Sequence, residues 1–387
     1  MSLAGEYSEW AATELDKVKN KIKWVAENNK NKIPYTTDEK GIYDNKADNN
    51  KEYRIDDGIN WWTNGFWAGI LWLLYNDTKE SRYKEYAMIQ EDLMRPAFDM
   101  FYGLHHDVGF MFVPSAVADY RLTGNNESRR IALHAANLLA GRFNAKGAYI
   151  RAWNDLEDAD TRGWAIIDCM FNISLLFWAS EETKDPRYRH IATAHADTVS
   201  KAFIRENGSV CHIVEFDPVT GTRLKSYAGQ GFAHGSSWTR GQGWALYGFT
   251  SAYRHTKDDN YLQVAEKVAD YCISRIGRDY IIPIDFDQPA ECKLEDSCGA
   301  CVIAGGLIDL ADEVSDISKS KNYLKTAVGI LKQIADNRAD YTEKCEAIVQ
   351  NCSAAFHAPK HHFTMVYADY YYIEALYKLA GSDFKIW

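Results

Sequence analysis

The sequence lacks the two features on which membrane insertion and export depend. It has no uncharged apolar run of about 18 residues, and its opening residues, MSLAGEYSEW, show no basic stretch followed by an apolar core. A membrane-spanning helix is therefore not predicted, and we expect a soluble protein. We place it in the cytoplasm, or in the periplasm if a signal peptide originally preceded this chain.

Positive charge is also scarce. The 387 residues include 44 Lys and Arg against 54 Asp and Glu, which gives a formal net charge of −10. No basic stripe with interleaved aromatic residues is present, so nucleic acid is not an expected partner. A small anionic ligand is compatible with this composition, because one arginine and the N-termini of helices can create a local positive potential.

Metal and dinucleotide motifs are missing as well. Of the eight cysteines, only Cys298 and Cys301 form a CxxC pair, so we expect reduced core thiols. His105 and His106 are adjacent but belong to no HExxH motif, and no metal is expected. The RGQG segment, residues 240–243, follows no predicted strand and lacks the third glycine of a dinucleotide site, so no cofactor is expected. Its glycines instead suggest close approach of a ligand to the backbone.

The sequence does contain the composition of a globular enzyme, with 46% hydrophobic and 13% aromatic residues. Segments that begin with Ser or Thr recur along the chain. Each continues with a polar first turn and then apolar residues at helical spacing, which predicts that the Ser or Thr caps a helix. The copies begin at Thr78, Thr183, Thr256 and Ser318, with a weaker copy at Thr123.

Another helical pattern precedes each of these copies. These patterns cover residues 62–76, 109–122, 163–182, 238–255 and 297–314. With further helices near 6–27 and 364–380, periodicity predicts about twelve helices in six hairpins. The predicted fold is an all-α (α/α)6 barrel of six inner and six outer helices, forming a single catalytic domain over residues 1–387. Strand signals are few and short, such as YIIPIDF from Tyr280.

The connections between the predicted helices differ in length. Turns before the repeated segments are short, whereas the segments that enter the other helix of each pair are long and carry most of the unusual side chains. If the long segments share one rim of the barrel, the helix N-termini converge there and attract negative charge. The site is therefore predicted at this rim.

Asp168 is a carboxylate in apolar surroundings. It falls in line with Trp164, Phe171, Leu175 and Trp178 at helical spacing, so it should project from an apolar stripe. Desolvation would raise its pKa and keep it protonated near neutral pH, as a general acid requires. The other interpretation is a structural Asp that is hydrogen-bonded to Asn172, and physical argument alone leaves both open.

Two further features carry alternative interpretations. Asp107, in HHDVGF, precedes a helical pattern and is either a helix N-cap or a second functional carboxylate. The stretch AHGSSWTRGQGWALYGF, from Ala233, places Trp238 and Trp244 beside Arg240. Aromatic faces next to a fixed cation suit an anionic sugar ring, but the same residues can form the edge of a core.

These motifs also carry a family resemblance. HHDVGF, RGWAIIDCMFNISLLFWA, SSWTRGQGWALYGF, WWTNGFWAGILWLLY and YADYYYIEAL resemble, in order from about Ile33 to the C-terminus, glycoside hydrolase family 88, the unsaturated glucuronyl hydrolases. The resemblance implies an (α/α)6 barrel. It also implies hydrolysis of oligosaccharides left by polysaccharide lyases, whose non-reducing end is a 4,5-unsaturated uronic acid. Such enzymes hydrate the enol ether and do not attack the anomeric carbon.

The resemblance further implies residue roles. Asp168 would be the acid and base, and Asp107 the second essential carboxylate. The implied substrate-binding residues are His106, His212, Gln230, Arg240 and Trp244, with Trp62, Trp153 and Trp238 as stacking walls; Arg240 would face the substrate carboxylate. Three alternatives remain: an unsaturated rhamnogalacturonyl hydrolase acting on pectin fragments, a sugar epimerase with histidine bases, and a non-catalytic sugar-binding toroid.

Overall fold

The computed structural model describes residues 3–48, 57–99, 103–154 and 160–387. Within these ranges the chain forms fourteen α-helical segments. They are α1 (Ser8–Asn29), α2 (Gly65–Thr78), α3 (Ser81–Met94), α4 (Val108–Phe112), α5 (Ala118–Thr123), α6 (Asn126–Gly141), α7 (Cys169–Asn172), α8 (Ser174–Thr183), α9 (Pro186–Ala202), α10 (Thr239–Thr256), α11 (Asp259–Arg275), α12 (Ser297–Glu313), α13 (Ile317–Asn337) and α14 (Val366–Leu379).

Two pairs of these segments each form one continuous barrel helix. A π-helical stretch, Val113–Val117, joins α4 to α5, and α7 meets α8 at Ile173. Among the described residues the barrel therefore has twelve helices, as predicted. Six are inner (α2, α4 with α5, α7 with α8, α10, α12 and α14) and six are outer (α1, α3, α6, α9, α11 and α13).

Inner and outer helices differ in how they are buried. Every residue from Gly65 to Leu74 of α2 and from Thr239 to Ala252 of α10 is buried, because neighbours surround an inner helix on all sides. Outer helices are amphipathic: α11 buries Tyr261, Ala265, Val268, Ala269 and Cys272 on one face. The inner helices thus form the core, and the outer helices cover it.

The prediction that the threonines of the repeated segments cap the outer helices is wrong. The hydroxyls of Thr78, Thr183 and Thr256 donate to the carbonyls of Leu74, Ala179 and Ala252, so these threonines end the inner helices. An acidic residue two positions further on caps two of the outer helices: the side chain of Asp185 accepts from the Arg187 N–H, and that of Asp258 from the Asn260 N–H. The carboxylate competes better for the free N–H groups and adds a favourable interaction with the helix dipole.

Short strands lie at the rim, beside the N-terminal ends of the inner helices. β1 (Phe143–Asn144) pairs with β2 (Tyr149–Ile150), and β3 (Trp164–Ile166), β4 (Ile213–Phe216) and β5 (Arg223–Tyr227) form an antiparallel sheet in the order β3-β4-β5. The predicted helix over 163–182 is therefore wrong at its start, because Trp164 to Ile166 pair with β4. YIIPIDF forms isolated bridges, such as Pro283 with Glu295, and no regular strand.

The barrel closes where α1 packs against α14. The buried Lys21 of α1 reinforces the seam by donating to the backbone carbonyls of Asp340 (3.0 Å), Thr342 (2.7 Å) and Cys345, in the segment that leads to α14. The first and last helices are therefore joined by tertiary contacts of the same kind as those within each hairpin.

Aromatic rings fill the barrel axis below the rim. Phe171 contacts Tyr247 at 4.3 Å and Trp387 at 4.4 Å between ring centres, and the Trp387 indole donates to the Tyr370 hydroxyl at 2.8 Å. All eight cysteines are free and six of them are buried, which confirms the predicted core thiols. No helix among the described residues is both long and apolar enough to cross a bilayer.

The end of the barrel opposite the rim contains a buried charge cluster. Asp309 accepts from Arg254 at 2.6 Å and from Lys378 at 3.0 Å, and Lys378 also lies 3.3 Å from Glu374. Burial alone would raise the pKa of Asp309, but Lys378 and Arg254 lower it below the ordinary value. A cleft of about 660 Å³ between α1, the end of α2 and residues 377–384 also opens at this end, and no predicted site residue lines it.

Candidate active site

A cavity of about 100 Å³ opens at the rim where the inner helices begin. Four connecting segments supply its walls, namely those that precede α2, α4, α7 and α10. Eight of the predicted site residues meet there: Trp62, His106, Asp107, Trp153, Asp168, Gln230, Trp238 and Arg240. Trp61 and Ile166 complete the described lining and were not predicted, although Trp61 adjoins Trp62 in the same motif.

Asp168 occupies the N-cap position of α7, but its side chain makes no capping hydrogen bond. It is 9% exposed, and its Oδ2 atom is buried without a hydrogen-bond partner among the described residues. Burial, with a further contribution from Asp107, raises the pKa of Asp168 well above its ordinary value, and Arg240 offsets only part of this. The raised pKa favours the protonated form of this carboxyl group, which is the form that can donate a proton.

Asp107 occupies the equivalent N-cap position of α4 and also makes no capping hydrogen bond. Its Oδ1 atom instead accepts from Asn172 Nδ2 at 2.8 Å. Towards Asp168, the Asn172 side chain donates to the backbone carbonyl at 3.2 Å and not to the carboxyl group, so the interpretation of Asp168 as a side-chain partner of Asn172 is wrong. Gly109 allows the two helices to meet, because a Cβ atom there would lie 2.5 Å from the Asn172 Cα.

Two stacked histidines adjoin Asp107. The rings of His105 and His106 lie 5.2 Å apart, and His106 Nε2 lies 3.3 Å from Asp107 Oδ2. Burial, then His105, lowers the pKa of His106 well below its ordinary value, so this ring is neutral. The three consecutive side chains also place one potential ligand atom each within 4.8 Å of one another. Asp107 thus offers a third potential ligand atom beside the two histidines, and the absence of a metal stays a prediction.

His212, at the start of β4, lies behind Asp168, with its Nε2 atom 3.9 Å from Asp168 Oδ2. Its Nδ1 atom lies 3.0 Å from the Gln230 backbone N–H, which can only donate. The Ala228 carbonyl, which can only accept, lies 3.2 Å from the same Nδ1 atom, so the two contacts call for opposite tautomers. The shorter contact, with Gln230 as donor, favours Nδ1 as the acceptor and places the proton on Nε2, on the side of Asp168. Burial lowers the pKa of His212 to about 3, so the ring is neutral. Gly229 is required beside it, because a Cβ atom there would lie 2.1 Å from Nδ1.

Arg240 lies in the first turn of α10 and is 1% exposed. Its guanidinium group donates to Asp296 Oδ2 at 2.7 Å and to the carbonyls of Ser353 at 3.0 Å and Ala354 at 2.6 Å. Burial would lower the pKa of Arg240, but Asp296 raises it above the ordinary value. Of the described residues that line the cavity, only Arg240 carries a permanent positive charge.

Gln230 and Trp238 hold the same wall together. Gln230 Nε2 donates to the Ala354 carbonyl at 2.7 Å, the carbonyl that also accepts from Arg240. The Trp238 ring lies 4.7 Å from the Arg240 guanidinium and 4.2 Å from the His212 ring. The tryptophan therefore packs between the cation and the neutral histidine, both of which lie close to Asp168.

Two predictions for this segment are not supported by the structure. Trp244 is one helical turn below Arg240, fully buried, and packs against Phe110 at 4.8 Å and Tyr371 at 5.5 Å, so it belongs to the core and does not line the cavity. The RGQG glycines serve packing within the protein. A Cβ atom on Gly241 would lie 2.9 Å from the Trp238 ring, and one on Gly243 would lie 2.9 Å from Val302 of α12.

The arrangement combines a carboxyl group with a raised pKa, a second carboxylate, a fixed cation and aromatic walls in one small cavity. Such a site suits an anionic sugar ring that receives a proton. The histidines are poorly suited to the acid and base roles of an epimerase, because burial lowers the pKa of His106 and His212 and so makes both rings weak proton acceptors. General acid catalysis by Asp168 is the chemistry that this geometry favours.

Comparison with known proteins agrees with this chemistry. The sequence matches the profile of Glycosyl Hydrolase Family 88 over residues 25–378. The unsaturated glucuronyl hydrolase of Bacillus sp. (strain GL1) is 33% identical over 350 residues, which cover 88% of this chain and 92% of that protein. The unsaturated chondroitin disaccharide hydrolase of Streptococcus pneumoniae is 32% identical over 326 residues, which cover 81% of each chain.

The fold is also similar to that of solved structures. The crystal structure of the unsaturated glucuronyl hydrolase from Bacillus sp. GL1, described as responsible for the degradation of glycosaminoglycan, gives a TM-score of 0.86 at 31% identity. The alignment covers 94% of this chain and 96% of that one. The twelve-helix barrel inferred from periodicity is thus an architecture shared with known enzymes.

Proposed function

This chain belongs to glycosyl hydrolase family 88, and we propose that Asp168 is its acid and base. The enzyme is a glycosidase that removes a 4,5-unsaturated uronic acid from the non-reducing end of lyase-generated oligosaccharides by hydration of the enol ether. The observation that carries the assignment of Asp168 is its buried carboxyl group, which faces the cavity with Oδ2 unbonded and its pKa raised.

In the first step Asp168 donates its proton to C4 of the unsaturated ring. The C4–C5 double bond supplies the electron pair, and positive charge develops on C5 and the ring oxygen. Asp168 becomes an anion in a buried site, where the nearby Arg240 guanidinium stabilises it. Because the carboxyl group carries its proton before the substrate arrives, no prior proton transfer is needed.

In the second step water adds to C5 and gives a proton back to the Asp168 carboxylate. The hemiketal formed at C5 then opens by cleavage of the bond between C5 and the ring oxygen. This leaves a ketone at C5 and a hemiacetal at C1, which releases the remaining oligosaccharide. One residue serves as acid and then base, so the paired-carboxylate spacing of ordinary glycosidases is not required.

The other lining residues bind and orient the ring in this proposal. Asp107, fixed by Asn172, orients the ring or the proton relay. His106, Gln230 and Arg240 contact the uronate. Arg240 faces its carboxylate while remaining bound to Asp296, and Trp62, Trp153 and Trp238 cover the sugar faces. His212 acts through its Nε2 proton on Asp168 and on the bound uronate.

The substrate in this proposal is an unsaturated uronic-acid oligosaccharide, bound by a single catalytic domain over residues 1–387. Of the two curated relatives described above, one is named for glucuronyl and the other for chondroitin disaccharide substrates. Both names describe an unsaturated uronate at the non-reducing end. We therefore propose glycosaminoglycan fragments as the first substrates to examine.

The decisive experiment compares a 4,5-unsaturated disaccharide with its saturated counterpart as a matched control. Loss of the ultraviolet absorbance of the double bond should accompany cleavage of the unsaturated substrate, and the saturated one should remain intact. In ¹⁸O-labelled water the label should enter at C5, not C1, when the product is trapped with borohydride before carbonyl exchange. Cleavage of the saturated substrate, or label at C1 alone, would make Asp107 and Asp168 a conventional acid and base pair.

A further inference from the structure

A second apolar cluster lies beside the cavity, separate from the barrel core. Its buried residues are Ala152, Ile166 and Ile213, and three partly exposed aromatic side chains pack on them: Trp153, Trp164 and Tyr227. In an ordinary core, rings of this size would be covered. Here they remain partly open to solvent next to the proposed active site.

The sheet register places these residues on one surface. Trp164 pairs with Glu215 and Ile166 with Ile213 across β3 and β4, while Ile213 pairs with Tyr227 and Glu215 with Lys225 across β4 and β5. Because side chains alternate along a strand, all six of these residues share one face of the sheet. The opposite face carries Ala165 and Val214, both buried. We call the first surface, together with Trp153, the aromatic face.

The aromatic face is continuous with the cavity. Trp153 and Ile166 belong to both, since they also line the cavity, and Trp153 contacts His106 at 6.3 Å between ring centres. From Trp153 the rings continue outward to Trp164 at 6.1 Å and from Trp164 to Tyr227 at 4.8 Å. The path therefore begins at the bound uronate and leads away from it.

The outer end of the aromatic face is polar. The Lys225 ammonium lies 4.9 Å from the Tyr227 ring centre and 3.6 Å from Glu215, which accepts from the Tyr227 hydroxyl. Sugar residues bind where the apolar faces of their rings meet an aromatic ring and their hydroxyls meet polar groups. The aromatic face offers both: several aromatic rings in succession, and polar groups at its outer end.

We propose that the aromatic face binds the sugar residues that follow the unsaturated uronate towards the reducing end. This inference rests on the proposed function, because it takes the uronate to occupy the cavity. A disaccharide places its second sugar against Trp153 and does not reach Tyr227, whereas a tetrasaccharide extends over Trp164 to Tyr227. The enzyme should therefore have a higher kcat/KM for the longer substrate.

The test compares an unsaturated disaccharide and tetrasaccharide from one lyase digest. Tyr227→Ala should lower kcat/KM for the tetrasaccharide about threefold to tenfold, the range expected for one lost stacking contact, and change it less than twofold for the disaccharide. Tyr227→Phe keeps the ring and should retain the preference for the tetrasaccharide. Val219→Ala is the matched control, since Val219 is 78% exposed and lies in the turn between β4 and β5, outside the aromatic face.

Each result decides a separate question. Equal kcat/KM of the wild type for the two substrates, or parallel losses on both in Tyr227→Ala, would overturn the role of the aromatic face while leaving the proposed function intact. If the wild type cleaves neither substrate, the proposed function fails and this inference fails with it. Circular dichroism and the melting temperature of each variant separate loss of binding from loss of folding.

Discussion

Two buried carboxylates, at opposite ends of the barrel, differ in their surroundings. Asp168 at the rim is 9% exposed, and the nearest basic side chain is the neutral ring of His212 at 3.9 Å. Asp309 at the opposite end is 1% exposed but lies within 3.0 Å of both Arg254 and Lys378. Their pKa values accordingly shift in opposite directions, upward for Asp168 and downward for Asp309.

The difference shows that burial alone does not identify a functional carboxylate. Two adjacent cations keep Asp309 ionised, and its hydrogen bonds tie α10, α12 and α14 together. Among the described residues, no Lys or Arg lies within ion-pair distance of Asp168, and its raised pKa favours the protonated form. A buried aspartate is thus held ionised by ion pairs at one end of the barrel, and at the other end a buried aspartate has the properties required by the acid and base role proposed above.

The largest effect should come from removing the transferable proton. Asp168→Asn preserves the shape of the side chain but cannot donate a proton to carbon, so kcat should fall roughly 10²- to 10⁴-fold. Substrate affinity should be retained, as measured by calorimetry with the unsaturated disaccharide. A kcat within tenfold of wild type would contradict the acid and base assignment.

The corresponding change at the opposite end should damage stability. Asp309→Asn leaves Arg254 and Lys378 without their shared carboxylate, and loss of one member of a buried ion pair costs roughly 3 to 5 kcal/mol. Urea unfolding measures this loss. The values of kcat and KM at a temperature well below the melting point should match wild type. Normal stability combined with low activity would mean that the two ends do not have separate functions.

Arg240 shares a feature with each of the two aspartates. It lines the cavity, as Asp168 does, and it forms a buried ion pair, with Asp296, as Asp309 does with its cations. Arg240→Ala should raise KM by an amount corresponding to roughly 1.5 to 3 kcal/mol, through loss of a charge-assisted contact. It should also destabilise the fold by leaving Asp296 without its cation.

The double variant Arg240→Ala, Asp296→Asn separates these effects. It should recover stability in urea unfolding, because the uncompensated charge is gone, but it should keep the raised KM. If KM recovers together with stability, Arg240 has only a structural function.

The pH dependence of stability should also distinguish Asp168. Its pKa is raised above the ordinary value of 3.8, so the stability due to its protonated form is fully present below pH 3.8 and is lost as pH rises through the folded-state pKa. Asp168→Asn does not undergo this loss. Its free energy of unfolding relative to that of wild type should therefore be higher at pH 8 than at pH 4. A difference independent of pH would contradict the raised pKa.

The smallest effect on kcat is expected at His212, whose Nε2 atom lies on the side of the ring that faces Asp168. A glutamine side chain can place an N–H near the Nε2 position, whereas asparagine is too short to do so. His212→Gln should therefore retain about threefold to tenfold more kcat than His212→Asn, as expected for one neutral hydrogen bond. Equal losses in the two variants would mean that the Nε2 proton is not used.

Most of the fold could be predicted from the sequence because its helices carry strong periodic signals. The prediction failed where distant residues decide local structure. Asp168 aligns with Trp164 at helical spacing, yet Trp164 to Ile166 form a strand because β4, some fifty residues later, pairs with them. The prediction of threonine caps failed for a local reason, since Asp185 and similar residues bind the free N–H groups at the helix start more strongly.

The sequence was sufficient to identify most residues of the site but not to show how deeply each one is buried. Asp107, Asp168 and Arg240 stand out as charges within apolar or aromatic motifs, and all three line the cavity. Sequence alone could not show that Trp244 lies one turn below the cavity floor or that Asp296 neutralises Arg240. Asp309, in GLIDLAD, has the same apolar context as Asp168, and only the three-dimensional positions of Arg254 and Lys378 distinguish the two.

The seam between α1 and α14 has a consequence for chain topology. Because tertiary contacts close the ring there, the seam is equivalent to the junction between the inner and outer helix of any other hairpin. A circular permutant that links the two ends and opens the chain at Gly124, a left-handed turn with no heavy atom within 4 Å of its Cβ position, should form the same barrel. The barrel should therefore form whatever the order in which the ribosome synthesises the six hairpins.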